Sequence, residues 1–158
     1  MSTIIEHTLF IDSRDAHISK SNVDFSILLN GENTYPGEIY KNVVSVEMTA
    51  VSFVNGNTLS TGDEHYFVLD IDELRNRIRS NTKNGNRAFA TIYYDPSKTG
   101  LQLIKGHDFD VKTMVFNPPL SSLSRFSFQI RSGNDTVPIN SSYNGYFTMM
   151  FKIKTLHI

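Results

Sequence analysis

The sequence contains no cysteine and no tryptophan. Without thiols it forms neither a disulfide nor a thiolate metal site, and such a chain suits a reducing compartment. No apolar run approaches the roughly 18 residues that a membrane-spanning helix needs. The opening stretch, MSTIIEHTLF, lacks the basic-then-apolar order of a signal peptide, so none is expected. Neither sign of charge dominates. Fifteen Lys and Arg against sixteen Asp and Glu leave a net charge of −1, so no overall field favours nucleic acid or an anionic membrane. The chain has no G-x-S-x-G, no P-loop and no G-x-G-x-x-G. Its histidines, His7, His17, His65, His107 and His157, are scattered. The denser polar groups, Asp63-Glu64-His65 and His107-Asp108-x-Asp110, have neither zinc nor EF-hand spacing. No catalytic residue, cofactor site or metal ligand is assigned.

What is present is apolar alternation. Aromatics are 11% of the chain, all Phe and Tyr, which suits strands. At 158 residues the sequence reads as one domain over 1–158, with 1–7 a candidate extended arm. Val23, Phe25, Ile27 and Leu29 share one face of a strand. The longest β stretch runs from Ile39 to Val54. Its phase slips near Val51 to Phe53, which predicts a bulge, or a bend where one strand serves two sheets. Phe67, Leu69 and Ile71 alternate in the next strand, and Asp72-Glu73-Leu74 reads as the start of a short helical turn. Asp70 and Asp72 are placed there as capping carboxylates. Shorter strands follow at Ala88 to Tyr94 and Leu101 to Ile104. The last runs from Tyr146 to Leu156, with Phe147, Met149, Phe151 and Ile153 inward.

The stretch VFNPPLSSLSRFSFQI, residues 115–130, joins a stop to a strand. Pro118 and Pro119 lack N–H groups and should end a ladder. Leu120 and Leu123 are spaced as plugs on one helical turn, at a crossing between sheets. Phe126, Phe128 and Ile130 then alternate inward. The sum is about eight strands with at most one or two helical turns: an all-β, antiparallel sandwich, jelly-roll-like.

Surface candidates are few. Arg75, Arg77, Arg79, Lys83 and Arg87 form the one basic cluster. No aromatic is interleaved for base stacking, so specific nucleic-acid binding is not expected and a solvated or interface loop is. Asp12-Ser13-Arg14-Asp15 reads as an ion-paired turn, or, through Arg14 and Asp15, as a recognition point for a partner. Polar loops at 58–64, 80–87 and 131–144, the last containing Asn134, are candidate docking surfaces. Two other functions fit a β-sandwich. A carbohydrate-binding module would display an aromatic platform, for which Tyr93, Tyr94, Tyr143 and Tyr146 are the candidates. A hydrolase would converge two carboxylates in a pocket.

FIDSRD, VDFSILL, IYKNVVSVEMTAVSFVN, HYFVLDIDELR, FATIYYDP and VFNPPLSSLSRFSFQIRSGN occur here in that order. The series resembles small β-sandwich proteins of nucleocytoplasmic large DNA viruses, among them minor capsid proteins of icosahedral giant viruses. The resemblance implies a non-enzymatic virion component, assembled in the host cytoplasm. Its partners would be the major capsid protein, other minor capsid proteins and copies of itself. No transmembrane segment is implied, and contact with an internal virion membrane stays open. After Ile130 the chain departs from the pattern: Ser132-Gly133-Asn134-Asp135 stands where an Asp-Gly hairpin is expected.

Overall fold

The computed structural model describes residues 1–29, 39–54, 66–75, 80–83, 86, 88–95, 97–98, 100–105, 113–132, 143 and 145–158. Ten strands are β1 (Thr3–Asp12), β2 (Ile18–Ser21), β3 (Asp24–Leu28), β4 (Tyr40–Val54), β5 (Tyr66–Ile71), β6 (Ala90–Tyr93), β7 (Leu101–Lys105), β8 (Thr113–Leu123), β9 (Arg125–Arg131) and β10 (Phe147–His157). Single 3-10 turns follow β1 and β5, at Ser13–Asp15 and Asp72–Leu74.

All pairings are antiparallel, and four of them nest. β1 pairs with β10, β3 with β9, β4 with β8 and β5 with β6. The chain is therefore one long two-stranded ribbon, doubled at its middle. Rolling the ribbon adds the pairs β10–β4 and β9–β5. The result is two five-stranded sheets. One runs β1-β10-β4-β7, with β8 also on β4; the other runs β2-β3-β9-β5-β6. This is the jelly-roll form of the sandwich anticipated from the sequence.

The alternating residues explain why the sheets stack. Phe25, Phe126, Phe128 and Phe67 point inward from one sheet; Phe53, Phe147, Phe151 and Ile153 point inward from the other. Phe53 meets Phe67 edge-on at 5.3 Å between centroids, and Phe126 stacks on Phe151 at 5.3 Å. Each such side chain contributes on the order of 3–5 kcal/mol relative to alanine.

Four details depart from the sequence reading. The first concerns β1, which begins at Thr3, within the candidate arm. Thr3 to His7 are paired with β10, so no free arm is present there. The second is β4, which stays in one sheet. Its bulges put Val43, Val46, Met48 and Val51 in the core; one falls at Thr49, just before the predicted slip, and the other at Val44, well ahead of it. One side of β4 is covered by β10; the other is shared by β8 over Tyr40–Glu47 and β7 over Ala50–Val54.

The third is the Pro-Pro block, which does not end its strand. Val43 pairs with Leu120 and Ser45 with Val115, so Phe116 to Pro119 bulge out opposite Val44. An edge strand tolerates this because the missing donors have no ladder to serve. The Asn117–Pro118 peptide is cis. Leu120 and Leu123 lie on β8, not on a helical turn. The crossing between sheets comes after them, at Ser124, whose carbonyl accepts from Leu29 N–H at 2.9 Å. Leu123 is buried at that point, as a plug requires. The fourth is β2, a short strand at Ile18–Ser21 that the alternation in the sequence does not single out.

Candidate contact surfaces

The Asp12–Asp15 corner is built from a strand end and a 3-10 turn. Asp12 Oδ1 accepts from the Arg14 N–H at 3.0 Å and caps the turn. The Arg14 guanidinium grips the same carboxylate, with Nε 3.0 and 3.1 Å from its two oxygens. Its other face lies 4.0 Å from the centre of the Tyr146 ring. Ser13 Oγ accepts from Phe147 N–H at 2.9 Å. The corner thus ties β1 to the start of β10, which is the ion-paired turn read from the sequence. The Arg14 hydrogen bonds hold the Asp12 carboxyl below its usual range, against the opposing effect of burial. Arg14 and Asp15 remain exposed. A hollow of about 250 Å³ beside them is lined by Phe10, Asp12, Asp15, His17 and Ile27, among others.

The basic cluster is only partly in view. Arg75 is exposed and its guanidinium lies 3.2 Å from Asp72, itself exposed. Lys83 is exposed. Arg77, Arg79, Arg87 and Asn134 lie outside the described residues, as do the loop at 58–64 and most of the 131–144 loop.

Asp70, within β5, and Asp72, just after it, do not cap the turn. Ile71 holds the cap position and makes no side-chain cap bond. Asp70 reaches instead across the sheet to Arg131, at 3.5 Å, and its Oδ1 is buried without a hydrogen bond. Burial raises its pKa, only partly offset by the Arg131 charge. Glu73 binds β9: its two oxygens accept from Ser127 N–H at 2.7 Å and Ser127 Oγ at 2.8 Å, with Arg125 3.5 Å away. Nothing in the local sequence flags this, because Glu73 and Ser127 are 54 positions apart. His17 is similar. Its Nδ1 accepts from Leu28 N–H at 2.8 Å, stitching the chain before β2 to the end of β3. Among the described residues, no group of three or more His, Cys, Asp or Glu side chains is arranged to hold a metal ion.

The proposed tyrosine platform is not assembled. Tyr94 and Tyr143 are core residues, and Tyr146 lies under Arg14. Tyr93 alone is well exposed, 6.0 Å from Tyr66. Tyr143 Oη donates to the Val54 carbonyl at 2.6 Å, and Asn22 donates to the Tyr143 carbonyl at 2.7 Å. Burial pushes its phenol up to about 12.

The outer face of the β1-β10-β4-β7 sheet carries several exposed apolar residues. Ile4, Phe10, Leu101, Leu103 and Val115 are each more than half exposed. Phe10 lies directly across from Met150. Among the described residues no helix is long and apolar enough to cross a membrane. Compared with known proteins, the chain matches no family model and no curated sequence.

Proposed function

We propose that the protein is a non-enzymatic structural component of a virion, a minor capsid protein that links major capsid capsomers of an icosahedral large DNA virus. The observation that carries this reading is where the resembling motifs fall in the jelly roll. IDSRD, at 11–15, forms the corner that locks β1 to β10. The PPLSSLSRF run, at 118–126, forms the edge bulge and the crossing between sheets. The motifs therefore sit at articulation points of the fold, where a shared architecture would preserve them. Fold alone does not imply function, since jelly rolls serve lectins as well as capsids. The exposed apolar outer face adds a surface suited to protein neighbours. Contacts of a cement protein are individually weak and are multiplied by repetition in a lattice. Assembly in the host cytoplasm, with the major capsid protein as chief partner, follows from the same reading. The test is mass spectrometry of purified particles. The protein should co-purify at a fixed ratio to the major capsid protein through stringent banding; its absence from intact virions would end the proposal.

A further inference from the structure

β1 is an unusually open edge. It runs ten residues in unbroken register with β10, and among the described residues no strand lies on its other side. Edge strands present a row of unpaired N–H and C=O groups, and proteins blunt them with short length, lysine, proline or bulges. The other edges here follow that rule. β2 has four residues, a bulge and Lys20. β6 has four residues, β7 ends in Lys105, and β8 carries the Pro118-Pro119 bulge. β1 has no lysine, no proline and no bulge. Its Glu6 is engaged from β10, 3.4 Å from Lys152 and 3.9 Å from Lys154.

We propose that this edge pairs with the same edge of a second copy, antiparallel, in the register that sets Ile4 opposite Phe10. Residues opposite one another in an antiparallel pair share a sheet face. Even-numbered positions of β1 face outward and odd ones inward, as the buried Leu9 and Ile11 show. Only registers that match even with even continue the sheet. Centring the two-fold axis on His7 places exposed Ile4 against exposed Phe10 twice, Glu6 against Thr8 twice, and Ile5 against Leu9. Shifting by one step toward the start of the strand opposes Glu6 to its own copy. Shifting the other way sets Glu6 against Phe10. Of these three registers, only the one centred on His7 sets the exposed outer-face residues Ile4 and Phe10 against each other while keeping Glu6 from its own copy. It would join two sheets edge to edge and extend the Phe10–Met150 patch across the junction. The inference rests on the geometry of β1 and not on a virion role.

The test is sedimentation of the full chain over a concentration series, with a charge exchange that reads the register. The unmodified protein should dimerise at high concentration. Ile4→Lys and Phe10→Glu should each weaken the dimer about tenfold. The two substituted positions are roughly 20 Å apart within one strand, so they cannot pair within one copy. Combined, they face one another across the proposed junction, and dimerisation should recover. A chain that stays monomeric up to about 1 mM would overturn the proposal, as would a dimer indifferent to either substitution or a double variant no better than the singles. Should the variants fail to melt cooperatively, amide exchange on the unmodified chain decides. β1 amides must gain protection on concentration; unchanged exchange rejects the pairing.

Discussion

The ring of Tyr143 occupies the space that a β-carbon on Gly145 would fill. The two residues therefore depend on each other. Tyr143 reaches back over Gly145 to the Val54 carbonyl at the end of β4, and Asn22 holds its backbone from the β2–β3 turn. Through its side chain and its backbone carbonyl, this one residue ties its own segment to the end of β4 and to the β2–β3 turn.

Gly145→Ala should displace that ring, at a cost of about 1–3 kcal/mol as for other overpacked sites. Tyr143→Phe should cost about 1–3 kcal/mol, because the Val54 carbonyl loses its donor. The losses should be less than additive in the double variant, since both act through one ring. Urea unfolding of the four proteins measures this; full additivity would show that the two residues are independent.

Leu123→Asp should abolish soluble folding. The residue is buried where β8 gives way to β9, and an unpaired carboxylate there has no compensating partner. Leu123→Ala, losing about 2–5 kcal/mol, should still fold. A soluble, cooperatively melting Leu123→Asp protein would place the residue at the surface.

Asp12 and Asp70 should give stability opposite dependences on pH. The pKa of Asp12 is lowered in the folded protein by Arg14. Its contribution is present above the unfolded value of about 3.9 and is lost as pH falls through the folded value. The pKa of Asp70 is raised by burial. Its contribution is present below about 3.9 and is lost as pH rises through the folded value. Asp12→Asn should therefore lower the melting temperature at neutral pH, and Asp70→Asn should raise it. Both differences should shrink toward zero in acid. Melts of the three proteins from pH 7 down to about pH 2.5, below the ordinary carboxyl range, check the signs; parallel curves would refute the assignment.

The strands were legible where burial is one-sided. Phe126, Phe128 and Ile130, and again Phe147 through Ile153, point inward as their alternation predicts. Bulges blurred the pattern in β4, because each extra residue flips the face of those that follow. Pro118 and Pro119 suggested a stop because local chemistry forbids a ladder, but local chemistry does not say that an edge strand can bulge past it. Glu73 and His17 were invisible for a different reason. Their partners, Ser127 and Leu28, are brought to them by the fold. The corner at Asp12 was readable because its ion pair is only two residues long. The open edge of β1 could not be read at all, since edge position is a property of strand order.

Nested pairing also has a bearing on engineering. Thr3 and His157 are cross-strand neighbours, so the start of β1 and the end of β10 meet at one corner of one sheet. A few linking residues would close the backbone into a ring, and that ring could be reopened at the exposed turn around Ser97 and Lys98 with every strand pair retained. For the same reason a tag joined before Thr3 or after His157 would hang beside the β1 edge, and a preparation without one is the proper starting material for any study of how copies meet.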